Sequence, residues 1–134
     1  MRVLIDENLP AALARALNEL SLHREQVPVT HLTQRFDRGT VDVDWIHTLG
    51  EEGDWVIVSQ DRFRKSKLEK EALQRSGIAA FVLERAWTNH AFWEKAQNLV
   101  RWWPVILQRA RSCSGSTVHL VPWRISGNGT FKAI

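Results

Sequence analysis

Cysteine is almost missing from this sequence: Cys113 stands alone among 134 residues, so no internal disulfide forms, and no CxxC or Cys/His cluster is present to hold structural zinc. A reducing cytoplasm is the expected compartment. No run of about 18 apolar residues occurs, and no basic, apolar leader opens the chain, so neither a membrane span nor secretion is expected. The glycine-rich motifs GxGxxG and GxxxxGK[ST] are absent, which excludes dinucleotide and P-loop chemistry at the level of motif. Ser59 has neither a GxSxG elbow nor a partnered histidine, which argues against a hydrolase triad. The five histidines (His23, His31, His47, His90, His119) share no metal spacing and read as ordinary residues. Tyrosine is absent too, while tryptophan occurs seven times.

The length suits one domain, expected over residues 1–125, with the glycine-bearing stretch 126–134 as a flexible tail. Apolar residues make up 44% of the chain, enough to build a core and to exclude disorder. The net charge of +3 conceals an asymmetry: all six aspartates lie at or before Asp61, whereas from Ala72 onward only Glu84 and Glu94 face eight Lys and Arg residues. Such a split suits a polyanionic partner beside a carboxylate centre.

Arg2-Val3-Leu4-Ile5 reads as a short apolar strand. A helix is then expected from Leu9-Pro10 to about Leu20, with Asn8 as N-cap and Pro10 in the first turn. Val27–Leu32 reads as a second strand and Thr33–Thr40 as a polar loop. Thr40 or Asp42 is positioned to cap the next helix, which Gly50 and Gly53 end. Trp55–Val58 is apolar without alternation, as in a strand buried on both faces of a parallel sheet. Ser66 and Glu69 match a capping box, Gly77 closes that helix, and Ile78–Leu83 is another buried strand. A long helix is expected from Asn89 to about Ala110, kinked or restarted at Pro104, and Thr117–Val121 supplies a last, edge strand. Trp102 and Trp103 differ by about 100° on that helix, so they are not expected to face one core, and an interface, with a homodimer as its simplest form, is one use for the outer ring. The alternation of strand and helix predicts an α/β fold: a three-layer α/β/α sandwich around a mostly parallel sheet.

In such sheets ligands bind beyond the carboxyl ends of the strands, and acids gather there. Asp6 follows the first strand, Asp61 follows the strongest strand after a two-residue spacer, and Asp42 and Asp44 open the helix between them. Clustered carboxylates raise each other's pKa, and a hard divalent cation, Mg²⁺ or Mn²⁺, relieves the repulsion. Asp6, Asp42, Asp44 and Asp61 are therefore the candidate metal ligands, with Asp6, Asp44 and Asp61 as the candidate catalytic set. Arg62, Arg64, Lys65 and Lys67 form a basic loop suited to nucleic-acid phosphates.

The run VLIDENLP, the acid-led helix and WVIVSQDRF resemble the PIN-like (PilT N-terminus-like) domains, and GIAAFVL with NHAFWEKAQNLVRWWPVI resembles the VapC-type ribonuclease toxins among them. The resemblance extends to about Trp123. It implies metal-dependent hydrolysis of RNA phosphodiester bonds, a Mg²⁺ or Mn²⁺ cofactor, a toxin–antitoxin role and a cognate antitoxin as partner. By position, Asp6 and Asp61 match the family acids, Phe63 matches the phenylalanine that follows, and Asp44 or Asp42 fills the place of the helix acid. A fourth acid just beyond Asp61 is missing, so either one ion suffices or Glu7, Asp42 or Glu84 substitutes. Two other classes stay open: a degenerate nucleic-acid or partner-binding module, and a receiver-type phospho-acceptor, which lacks its lysine and hydroxyl switch residues here because Glu84-Arg85 and Pro122-Trp123 follow the last strands.

Overall fold

A computed structural model describes residues 1–126 and 129–133. A parallel sheet is laid down by β1 (Arg2–Ile5), β2 (Val29–His31), β3 (Trp55–Ser59), β4 (Ala79–Leu83) and β5 (Thr117–Val121), and β6 (Lys132–Ala133) adds an antiparallel strand. The order is β2-β1-β3-β4-β5-β6. β3 and β4 are buried at every position, as their unbroken apolar runs require of strands covered on both faces.

Among the described residues five α-helices cover the sheet: α1 (Ala11–Glu25), the short α2 (Leu32–Arg35), α3 (Asp42–Glu52), α4 (Lys67–Ser76) and α5 (Phe92–Ser112). On one face Leu13, Leu17, Leu99, Trp102 and Ile106 of α1 and α5 pack on Val3, Ile5, Val58 and Phe81. On the other, Trp45, Ile46, Leu49 and Leu73 of α3 and α4 pack on Leu4, Ile57 and Ala80. This is the three-layer sandwich expected. Because α5 crosses to the α1 face, the β4–α5–β5 connection winds with the opposite hand to β3–α4–β4. Gly50 is kept by the α3–α4 contact: a Cβ there would meet the Ser76 backbone at 3.0 Å.

Several local expectations are corrected. α1 runs past Leu20 to Glu25, because Ser21 is buried, donates to the Leu17 carbonyl and accepts from Trp103 Nε1 at 2.7 Å. Its N-cap position is Pro10, which has no side-chain bond to give, and Asn8 is used elsewhere. The loop after β2 contains α2, capped by the His31 ring, which accepts from the Thr33 N–H. Val41, not Thr40 or Asp42, occupies the cap position of α3, and Gly50 lies inside that helix. Asn89 belongs to a 3₁₀ turn, Arg85–Asn89, and α5 runs through Pro104 without a restart. β5 is flanked by β6, so it is not an edge strand. Of the stretch expected as a tail, residues 127, 128 and 134 lie outside those described. Phe131 rests on Phe81 and Trp102, with ring centroids 5.3 and 5.2 Å apart.

Trp102 and Trp103 are both buried, contrary to the helical-wheel expectation. α5 is enclosed on two sides: Trp102 turns toward Phe131 and the chain after β5, donating to the Trp123 carbonyl, while Trp103 turns toward α1. Among the described residues the exposed rings of this helix are those of Phe92 and Trp93, the latter at 73%.

Candidate functional site

β1 and β3 are parallel neighbours with Ile5 opposite Val58, so the residues following them emerge at one carboxyl edge about 5 Å apart. Asp6 is 4% exposed there. Its Oδ1 accepts from the Glu7 N–H at 2.7 Å and its Oδ2 from the Ser59 hydroxyl at 2.7 Å. Ser59 Oγ in turn accepts from the Asp61 N–H at 2.8 Å and from Asn8 Nδ2 at 3.2 Å, while the Asn8 amide oxygen accepts from the Gln60 N–H. One hydroxyl thus ties the end of β3 to the end of β1, and it uses its donor and both lone pairs to do so.

Asp61 Oδ1 accepts from the Phe63 N–H at 2.8 Å, closing a tight turn. Phe63 sits in the left-handed region, φ 58°, which disfavours a side-chain-bearing residue. Its ring is fully buried and meets Trp45 edge-on at 5.8 Å, so packing holds the turn in place. Trp45 Nε1 donates to Asp42 Oδ1 at 2.9 Å. The same aromatic pair therefore orients an acid on α3 and an acid on the loop before α4.

The result is a convergence of Asp42, Asp61 and Glu69, whose carboxylate oxygens lie within 4.8 Å of one another. Glu69 is the acid that sequence reasoning missed. It reads there as the N3 residue of a capping box, and half of that box is real: the Glu69 N–H donates to Ser66 Oγ at 3.1 Å. The carboxylate, however, stays with the other acids in a buried position, and its Oε1 has no hydrogen-bond partner. A glutamate in the first turn of a helix that starts near the carboxyl edge was the signal available.

Burial is the main reason that the Asp6 carboxyl is pushed up to about 6; hydrogen bonds from Ser59 and the Glu7 amide oppose it, and Asp42 and Asp61 add to it. Glu69 is also raised, first by burial and then by Asp42 and Asp61. Lys65 Nζ lies 3.2 Å from Asp61 Oδ2, and this pairing raises the Lys65 pKa. A partly buried set of oxygen donors that repel one another, with one oxygen of Glu69 unpartnered, matches what a hard divalent cation requires.

The remaining expected residues are placed as follows. Asp44, two residues after Asp42 and so about 200° around α3, is exposed and lines a groove against α4 with His47, Glu71 and Arg75. Glu7 is exposed, and Glu84, whose N–H donates to the Val121 carbonyl, stands at the end of β4, two strands from Asp6. Among the described residues neither belongs to the cluster. The basic loop divides: Lys65 pairs with Asp61, Lys67 lies 3.9 Å from Glu71 at 90% exposure, and Arg62 and Arg64 line a cleft beside α4.

A family model described as a PIN-like domain matches residues 1–85. The chain belongs to the PIN-like domain family. No curated protein and no solved structure matches it. The matched segment contains β1 to β4 and all of Asp6, Asp42, Asp61 and Glu69, while α5 and β5 lie beyond it. PIN-like domains are commonly nucleases, and the acidic cluster is compatible with that chemistry. Among the described residues, no helix is long and apolar enough to cross a membrane.

Proposed function

We propose that this PIN-like domain is a Mg²⁺- or Mn²⁺-dependent ribonuclease, the toxin of a toxin–antitoxin pair, acting in the cytoplasm and restrained by a cognate antitoxin. The observation that carries the nuclease reading is the convergence of Asp42, Asp61 and Glu69 beside the buried Asp6. These four residues would hold the cation. When bound, it supplies charge neutralisation at a phosphodiester and lowers the pKa of a water for attack. Ser59 and Trp45 keep Asp6 and Asp42 aimed, so little rearrangement is needed at the moment of reaction. Lys65, 74% exposed, neutralises Asp61 from the rim and becomes available to a phosphate oxygen once another cation takes over that duty. The toxin role rests on the likeness of GIAAFVL and NHAFWEKAQNLVRWWPVI to the VapC-type toxins.

The deciding experiment is cleavage of total RNA by purified protein with Mg²⁺, Mn²⁺ or EDTA. Cutting is expected only with metal. It should fall by at least about a hundredfold in Asp61→Asn and Glu69→Gln and be retained in Asp44→Asn. RNA binding without cutting in either metal would replace the enzyme with a degenerate binding module. Growth arrest on expression in bacteria, abolished by Asp61→Asn, tests the toxin role.

A further inference from the structure

We infer that the cleft between the Asp61 loop, α4 and the start of β5 is a phosphate subsite that grips the nucleic-acid backbone next to the acidic centre. The inference rests on the nuclease reading for its ligand but on different residues. Arg62, Arg64 and Lys70 line a cleft of about 150 Å³ together with Gln74, Ser116 and Thr117. That is room for about five waters, or for one phosphate with part of its shell.

Among the described residues no acid lines this cleft and none of its three cations forms an ion pair, whereas the neighbouring lysines of the same segment are both paired, Lys65 with Asp61 and Lys67 with Glu71. Cations brought together without a carboxylate repel one another, and an anion relieves the repulsion. The backbone that carries both guanidiniums is also held in place. Phe63, between them in sequence, is fully buried and fixed at φ 58°, so Arg62 and Arg64 leave the backbone on either side of a rigid anchor. Ser116, whose hydroxyl donates to the Leu73 carbonyl at 2.8 Å, pins the β5 wall to α4. Two planar forks and an ammonium around a neutral pocket suit a phosphodiester.

Position then selects the ligand class. Arg62 directly follows Asp61, and the Phe63 N–H bonded to Asp61 Oδ1 belongs to the same turn. The cleft runs from these arginines along α4 toward the start of β5, so a strand whose scissile phosphate lay at the acids would meet the Arg62 end of it first. The contacts are to phosphate only, so they confer grip without base preference.

The test is binding of a fluorescent, uncleavable 2′-O-methyl RNA oligonucleotide in EDTA across a salt series. Arg64→Gln and Lys70→Gln should each weaken binding about three- to tenfold and lower the salt slope by about 1, irrespective of RNA sequence. Lys70→Arg should bind like wild type. Arg15→Gln, which removes the same charge from the opposite face of the sheet, should change neither quantity. Unchanged binding in both cleft variants overturns the subsite, and so does an equal loss in Arg15→Gln, which would reduce the effect to overall charge. Displacement of the oligonucleotide by inorganic phosphate at matched ionic strength would make free phosphate the ligand and overturn the backbone assignment. A wild type that cuts RNA while the cleft variants bind normally defeats this inference alone. Binding through the cleft by a protein that cuts nothing defeats the nuclease reading alone.

Discussion

The two helical layers of this molecule are built to opposite rules. Under α1 and α5 the polar groups of buried side chains are satisfied: the Trp103 indole donates to Ser21, and the Trp102 and Trp87 indoles donate to backbone carbonyls. Under α3 and α4 the helices pack equally well on the sheet, yet their edge gathers carboxylates that repel one another and leaves Glu69 Oε1 unpartnered. The first layer maximises stability. The second gives up some stability so that charge of one sign is concentrated at the place where β1 and β3 end, which is the arrangement expected of a site built for a cation.

The largest effect that would sharpen this contrast belongs to the aromatic layer. Trp102→Ala should cost about 3 to 5 kcal/mol in urea unfolding, equally with and without Mn²⁺, because it empties a cavity remote from the acids. A loss that Mn²⁺ largely restores would break the division between the layers.

Next comes the pH dependence of the acidic layer. Asp6 is held at about 6 against an ordinary value of 3.8, so between those pH values the folded protein keeps a proton that the unfolded chain has released. The contribution of this carboxyl to metal-free stability is therefore fully present below about pH 4, declines as pH rises to 6, and amounts to about 3 kcal/mol. Thermal midpoints in EDTA should fall across that window in wild type and stay flatter in Asp6→Asn, and Mn²⁺ should raise the midpoint more at pH 7 than at pH 5. A flat wild-type profile in EDTA would show that Asp6 is not strained by burial.

The smallest effect separates support from ligation. Trp45→Phe keeps the ring against Phe63 but removes the indole N–H that orients Asp42, so stability should drop by about 1 kcal/mol, and Mn²⁺ affinity, read by calorimetry, should fall severalfold. Unchanged affinity would mean that Asp42 needs no such restraint.

Much of the fold was legible in the chain because its signals are local. The unbroken apolar runs at Val56–Val58 and Ala79–Leu83 announce strands buried on both faces, and Ser66 and Gly77 mark the ends of α4 by the bonding needs of helix termini. Asp6 and Asp61 stood out for the same reason, each following a buried strand. The choice of Asp42 over Asp44 depended on which face of α3 meets the sheet edge. The helix begins at Asp42 with Val41 at its cap position, a boundary that sequence alone placed at Thr40 or Asp42.

The sequence by itself determined the layered α/β architecture and two of the acids, since strand burial, helix capping and the residue after a strand are properties of neighbours in the chain. Only the tertiary structure decided that Glu69 joins them and that both Trp102 and Trp103 are covered. Each of those outcomes is set by what an approaching element brings to the other side of a residue: α3 opposite α4, α1 and Phe131 on two flanks of α5. Burial and charge convergence are sums over such partners, and they exist only once the chain has folded.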